Sequence, residues 1–292
     1  MPGRRLLSDA EVIAANAGFF ADPASQRRRA VLRETIAAFE SQALPDRYHR
    51  LAAANLARWR AERQATEAYC QVHVHAGDWG EVTRHMTARY GICFAVLNMA
   101  NAYVPGGAYV EGASAQEENM FRRTDCHFRV DADEYNDTAD RYLSEMTRLL
   151  SAYDGVVYLD KDRPRVCIRG PEDRASANLG YRWLPDEQVF PFFELRAAAQ
   201  DLRDGSAFDS DDARRRIAAQ LDTLRNHGLR HAVLSAFGCG AFRNPADRVA
   251  AIYRDEIAAR AEHFDVIAFA IFAPGYGPDN YTPFARLIGK SQ

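Results

Sequence analysis

From residue 69 onward, short apolar runs alternate with helical stretches. Cys70–His75, Ile92–Leu97, Val156–Leu159, Val166–Ile168, Val189–Leu195, His231–Phe237 and Val266–Phe272 read as strands, the last halted at Pro274-Gly275. Trp79–Arg89 (closed by Gly91), Ser114–Cys126, Thr138–Ala152, Asp209–His227 (stopped by Gly228) and Pro245–Phe264 read as helices, and Asp160-Lys161-Asp162-Arg163 as a charged turn. This alternation predicts an α/β layered fold with a mostly parallel or mixed sheet. Residues 1–68 read as helical only. Asp22-Pro23 fits an N-cap followed by proline at the first helical position. Leu44-Pro45-Asp46 breaks that helix, and a second runs to about Ala68. The expected division is a helical extension over 1–68 and a sheet domain over 69–292. Arg27-Arg28-Arg29 is expected on a solvated helix face.

The chain has 292 residues and a formal net charge of -3. That balance argues against electrostatic nucleic-acid binding as the main task. No apolar run approaches the roughly 18 residues of a membrane span, and the N-terminus lacks the apolar core of a signal peptide. Cys70, Cys93, Cys126, Cys167 and Cys239 are scattered, odd in number and without metal-ligand spacing. A reducing compartment, the cytoplasm, and no disulfide framework follow as expectations. His73 and His75 share a strand face, but no third ligand stands at motif spacing, so ordinary strand histidines are expected rather than a metal site. No cofactor is expected, and the chain is expected to be a monomer without a membrane partner.

The chemistry gathers in Asn98–Arg123, N-M-A-N-A-Y-V-P-G-G-A-Y-V-E-G-A-S-A-Q-E-E-N-M-F-R-R. A buried strand delivers the chain to a glycine turn, Gly106-Gly107, and then to a helix that opens on two adjacent carboxylates, Glu117 and Glu118. Such a strand–loop–helix passage presents backbone N–H groups to an anion, and paired carboxylates suit acid–base work. Ser114-Ala115-Gln116-Glu117 also reads as a capping box, which would occupy Glu117, while Glu118 would then be a surface glutamate. A helix N-terminus lowers a carboxyl pKa and burial raises it, so the environment of Glu118 decides whether it can act as an acid. A second glycine loop, Gly238-Cys239-Gly240, follows another apolar strand. Two loops at the carboxyl ends of strands could clasp a diphosphate. Neither is a P-loop or a G-x-G-x-x-G fingerprint. Cys239 has no evident partner histidine, and its small size accounts for it.

These residues resemble the macrodomain superfamily, and more closely its microbial-type poly(ADP-ribose) glycohydrolases. Gly106-Gly107-Ala108, then seven residues, then Gln116-Glu117-Glu118 is similar to the family's G-G-G and Q-E-E pattern. Asn98-Met99-Ala100-Asn101 is similar to the N-A-A-N strand end, and Gly77-Asp78 to a G-D that contacts adenine. Leu234–Pro245 resembles the second phosphate loop. The resemblance implies a three-layer α/β/α macrodomain with a mixed sheet that binds ADP-ribose or poly(ADP-ribose), with ADP-ribosylated protein or nucleic acid as further partners. It implies Glu118 as the acid–base that protonates the leaving ribose oxygen and then activates water, and Glu117 as the holder of a ribose hydroxyl. Gly106, Gly107, Ala108 and Gln116 would line the ligand with Phe237, Gly238, Cys239, Gly240 and Ala241. Phe242 and Asn101 would address the distal ribose, and Asp78 the adenine. The sequence departs from the family at Ala108, which replaces a third glycine, at His127-Phe128, which replaces Leu-Tyr, and at Ser235, which replaces glycine. The expected activity is hydrolysis of O-glycosidic ribose bonds in poly(ADP-ribose) or ADP-ribosylated macromolecules. The rivals are a non-catalytic ADP-ribose reader and a nucleotide phosphatase on the same fold.

Overall fold

Every residue of Val266–Ile271 is buried, so this strand has lost water on both faces and lies inside a sheet. In the computed structural model, which describes residues 3–41, 46–63, 70–273, 275 and 277–289, it is β8. The sheet is six-stranded and mixed, in the order β1-β8-β7-β2-β6-β5. The strands are β1 Gln71–Ala76, β2 Ala95–Met99, β5 Tyr158–Cys167, β6 Phe190–Ala197, β7 His231–Leu234 and β8. The pairings β1–β8, β8–β7, β7–β2 and β2–β6 are parallel. Alternate residues of the central strands, Ala95, Leu97, Ala232, Leu234, Ile267 and Phe269, share one apolar core with Ile217 and Leu221 of α7 (Ser210–Asn226), Val249 and Tyr253 of α8 (Ala246–Ala258) and Phe284 of α9 (Tyr281–Leu287). Helix α4 (Trp79–Tyr90) packs on β7 and β8, and its buried Val82 and Met86 stand outside that core. Helices therefore flank the sheet, as the alternation requires.

The chain divides into two compact units: Met1–Asn55, Ala100–Thr147 and Arg165–Pro191 form one, and Leu56–Met99, Arg148–Pro164 and Phe192–Gln292 the other. The boundary expected at 68, the break at Leu44-Pro45 and the stop at Pro274 lie outside the described residues. The first unit holds α1 (Asp9–Ala15), α2 (Pro23–Glu40), the start of α3 (Arg47–Glu62) and α5 (Gln116–Arg123). Asp22 caps α2, accepting from the Ser25 N–H, with Pro23 at the first turn. Asp78 caps α4 through the Gly80 and Glu81 N–H groups, and Gly91 ends it in the left-handed conformation.

Several elements differ from the sequence reading. Thr138–Ala152 is not one helix: β3 (Tyr135–Asn136) and β4 (Arg141–Tyr142) form a small hairpin, and only Ser144–Leu150 is helical, as α6. The two short runs at Val156–Leu159 and Val166–Ile168 belong to the one strand β5. Within it Asp160 accepts the Arg163 N–H at 3.0 Å, so the charged segment is bent but not a separate turn. Arg28 and Arg29 are not solvated; the first is 9% and the second 1% exposed. They lie on the buried stripe of α2 with Ser25, Leu32, Thr35 and Ile36, spaced three and four apart as a helix face requires.

Candidate active site

The site is built on the first turn of α5. That helix is capped at Ala115, with no side-chain cap. Glu117 therefore does not close a box with Ser114. Its Oε2 accepts the Asn101 N–H at 2.7 Å and its Oε1 accepts the Gly106 N–H at 3.1 Å. Glu118 is buried, not a surface residue. Its Oε1 accepts the Ala108 N–H at 3.1 Å. Two carboxylates that start α5 are thus folded back under the 101–108 loop, and the loop's amides point at them.

The glycines follow from this arrangement. Gly107 has φ +56°, and a Cβ there would stand 2.4 Å from Glu118 Oε1 and 3.3 Å from Glu117 Oε2. At Gly106, with φ +70°, a Cβ would meet the Tyr109 ring at 2.5 Å. Only glycine takes that conformation freely and leaves room for the carboxylates. Ala108 is not among the residues with positive φ, so alanine in place of the third glycine carries no backbone strain. Asn101 turns its Oδ1 into its own loop, accepting the Tyr103 and Val104 N–H groups at 2.8 and 3.0 Å. Gly107 N–H goes to Val104 O at 3.0 Å. The amides of Gly106, Gly107 and Ala108 are therefore all accepted within the protein.

Burial pushes the Glu118 carboxyl above its ordinary range, against the N–H groups of Glu118 and Ala108 and the charge of Arg122, which favour the carboxylate; Glu111 adds to the upward push. Between the two opposing influences anticipated for this position, desolvation outweighs the helix terminus. That is the direction a general acid needs near neutral pH.

Sequence reasoning missed the supports of this loop. Arg4 donates to Gly107 O at 2.6 Å. Arg28 reaches Gly112 O at 3.4 Å and pairs with Glu172 at 2.8 Å, while Arg29 reaches Glu111 O at 2.8 Å. Gly112, at φ +99°, lets α2 approach; a Cβ there would stand 2.5 Å from Ser25 O. Thr35 donates to Arg122 O at 2.7 Å. Behind α5, Tyr181 donates to Glu172 at 2.6 Å and accepts from Arg122 Nε at 3.1 Å. His127 lies with Nδ1 2.8 Å from the Tyr109 hydroxyl, and burial pushes its pKa down to about 4. The signal that could have found the arginines is their phase on α2, where they share a stripe with Leu32 and Ile36.

The second unit holds the other candidate residues. Asp78 is buried as the α4 cap. In the Phe237–Phe242 loop, Gly238 has φ +73°, and a Cβ there would meet Ala199 Cβ at 2.5 Å. Asn244 braces that loop, donating to Gly238 O at 3.1 Å and to Gln200 O at 2.7 Å. Phe237 and Cys239 are buried, Gly240 and Ala241 exposed, and Phe242 half-buried under the Arg203 guanidinium at 5.1 Å. Burial holds the Cys239 thiol far above its usual range, which makes it a poor nucleophile. Among the described residues no group of three or more His, Cys, Asp and Glu side chains could hold a metal, and no helix is long and apolar enough to cross a membrane. His73 and His75 are half-buried strand residues whose rings lie 6.0 Å apart.

An α/β fold carrying two adjacent buried carboxylates under a glycine turn, one of them biased toward its protonated form, holds the groups that acid–base hydrolysis uses. The sequence matches the family model "Microbial-type PARG, catalytic domain" over residues 12–158, half of the chain, and the chain belongs to that family. PARG is poly(ADP-ribose) glycohydrolase, a glycoside hydrolase acting on poly(ADP-ribose). The fold is similar to that of the poly(ADP-ribose) glycohydrolase from Thermomonospora curvata, with 23% identity, 90% of this chain and 100% of that chain covered, and a TM-score of 0.61. The same enzyme bound to the inhibitor ADP-HPD matches at 22% identity over 89% of this chain and 99% of that one, TM-score 0.58. The enzyme from Deinococcus radiodurans in complex with ADP-ribose matches at 22% identity over 85% and 94%, TM-score 0.56. No curated protein matches the sequence significantly.

Proposed function

We propose that this chain hydrolyses the O-glycosidic ribose bonds of poly(ADP-ribose) or of ADP-ribosylated macromolecules, with Glu118 as its acid–base. The observation that carries the reading is the seat of Glu118: buried, raised in pKa, and held under the loop by the Ala108 N–H at 3.1 Å. Protonated Glu118 would give its proton to the leaving ribose oxygen as the anomeric carbon takes on oxocarbenium character. As the carboxylate, it would then take a proton from the attacking water. Glu117, fixed by two N–H groups, is the acceptor for a ribose hydroxyl. Because the Gly106–Ala108 amides are used internally, we assign this loop, with Gln116 and Asn101, to shaping the wall around the ribose. Donation to the diphosphate is assigned to the Gly238–Ala241 loop, the distal ribose to Phe242 and the adenine to Asp78, by family resemblance. The ligand of the Deinococcus radiodurans complex, ADP-ribose, fits the same assignment. No disulfide joins the described cysteines, which supports a reducing compartment, the cytoplasm, and we propose that the chain acts there as a monomer.

The test is release of free ADP-ribose from poly(ADP-ribose) and from singly modified protein, read beside calorimetric affinity for ADP-ribose. Release should vanish in Glu118→Gln while binding persists. Tight binding without release by the unmodified chain would make it a reader. Phosphate release with the modified chain left intact would make it a phosphatase.

A further inference from the structure

We propose that Arg4 is a positioning residue for the reaction: it locks the Gly107–Ala108 peptide with its N–H toward Glu118, and thereby ties the N-terminal strap to the acid. The inference rests on the reading of Glu118 as the acid–base. Gly107 C=O and Ala108 N–H belong to one rigid peptide plane. On one side of that plane Arg4 Nη1 donates to Gly107 O at 2.6 Å. On the other, Ala108 N donates to Glu118 Oε1 at 3.1 Å. The residue before the plane is a glycine at φ +56°, the residue type with the least steric resistance to turning such a plane over. Turned over, the plane would aim a carbonyl oxygen at the carboxyl and remove the one loop N–H that Glu118 accepts.

Arg4 is built to prevent that. It is 6% exposed. Its guanidinium also binds Glu111 at 2.8 and 3.3 Å and Asp140 at 2.7 and 2.6 Å. These two carboxylates, together with the carbonyl, fix its plane as a lysine could not. Its own N–H goes to the Tyr109 hydroxyl at 3.3 Å. Gly3, at φ +95°, is pressed so close to His127 that a Cβ would meet His127 O at 2.4 Å. The strap is thus seated on the catalytic loop by its backbone as well as its charge. Burial opposes the charge on Arg4, but Asp140 and Glu111 outweigh it and hold the guanidinium firmly ionised. A cation on the carbonyl end also polarises the peptide, making its N–H a stronger donor to Glu118. The charges acting on Glu118 within this unit are Arg122 on α5 and Glu111 on the loop, with Glu117 its neighbour in sequence; Arg4, Arg28 and Arg29 meet the loop at Gly107 O, Gly112 O and Glu111 O.

The test is Arg4→Met in the full chain. Its kcat should fall about tenfold to a hundredfold, the scale of a misplaced catalytic group, with KM little changed. The basic limb of the pH profile should move up by about one unit, because the carboxylate has lost a donor. Arg4→Lys should recover part of both. A ¹³C titration of Glu118, its signal identified by its loss in Glu118→Gln, should show the same upward move without any turnover. A folded Arg4→Met protein whose limb and Glu118 titration stay in place would overturn the proposal. Should Arg4→Met not fold, the more exposed Asp140→Asn decides by the same titration: a smaller upward move supports the lock and none overturns it. If Glu118→Gln still turns over, the acid assignment fails, while the titration judges the peptide lock independently.

Discussion

Replacing Gly107 by alanine separates the cost of a strained turn from the cost of a displaced acid. The backbone there sits at φ +56°, where an L-residue is disfavoured by about 1–2 kcal/mol. The new methyl would stand 2.4 Å from Glu118 Oε1, 3.1 Å from its Cδ and 3.3 Å from Glu117 Oε2. Ordinary contact begins near 3.4 Å, so the Glu118 carboxyl has to withdraw by about 1 Å (3.4 less 2.4). For folding this is cheap, since the obstructing atom is the end of a flexible side chain. For catalysis it is not. The withdrawal stretches the 3.1 Å bond from Ala108 N beyond hydrogen-bonding range, and a misplacement of about 1 Å is worth on the order of 10²-fold in rate. The expected result of Gly107→Ala is a loss of kcat of about a hundredfold with a Tm lower by only about 2–8 °C. Gly106→Ala is the contrast. Its methyl would meet the buried Tyr109 and Phe121 rings at 2.5 and 2.9 Å, which cannot withdraw, so its penalty should fall more on Tm. ADP-ribose release and thermal unfolding measured on both variants decide the matter. Turnover by Gly107→Ala within about threefold of the parent would refute the claim that this glycine exists to seat Glu118.

Three further outcomes follow from the same geometry. Glu118, with its pKa raised by burial, binds its proton more tightly folded than unfolded, so its contribution to stability is kept below the unfolded pKa and falls as pH rises through the folded one; Glu118→Gln should therefore raise Tm at pH 7 and leave it nearly unchanged near pH 4. Glu172 is the opposite case: burial opposes its charge, but Arg28 and Tyr181 outweigh it and bring the pKa from 4.5 down to about 2, so its stabilisation is present above 4.5 and lost as pH falls toward 2. Acid unfolding of Glu172→Gln should accordingly be less steep across that window, from a lower Tm at pH 7. Gly112→Ala would set a methyl 2.5 Å from the Ser25 carbonyl at φ +99°, a backbone obstruction that should destabilise by about 2–5 kcal/mol, read as a large fall in Tm.

The sheet was legible because its signal is local. Val266–Ile271 and His231–Leu234 are apolar runs flanked by turn residues, and β-branched or aromatic side chains buried on both faces need nothing else to declare a strand. The cap at Asp22 was equally plain, since Asp22 before Pro23 satisfies an N–H group next to it in sequence; Asp78, which caps α4 in the same way, was not read as a cap. Thr138–Ala152 failed for the complementary reason. Tyr142 and Met146 keep helical spacing, but the Tyr142 N–H is taken by Tyr103 O at 2.8 Å, 39 residues away by number (142 less 103), and a partner that distant leaves no mark in a local window. The same holds at Ser114. The capping box was a sound local pattern, and it lost because Glu117 finds two N–H donors, on Asn101 and Gly106, that the turn brings to it.

The pair Glu117 and Glu118 was visible as two glutamates at a fixed distance from two glycines, but the reason for the glycines was not. Sequence alone offers a glycine loop as an anion cradle, with its amides facing a ligand. The structure uses the amides of 106, 107 and 108 for Glu117, Val104 and Glu118. An amide given to a buried carboxylate favours its charged form, while desolvation of the same group favours its neutral form. The loop therefore does two opposed things to Glu118: it covers it, which raises the pKa, and it donates to it, which limits how far the pKa can rise. For the proposed role of Glu118, acid in one step and base in the next, both influences are useful, and the balance between them depends on where the loop sits. What holds that balance must hold the loop, and the loop is held by Arg4, Arg28 and Arg29. Arg28 and Arg29, expected on a solvated face of a helical extension, are in this sense part of the environment of Glu118, so substitutions in the first helices should reach this carboxyl through the loop they hold.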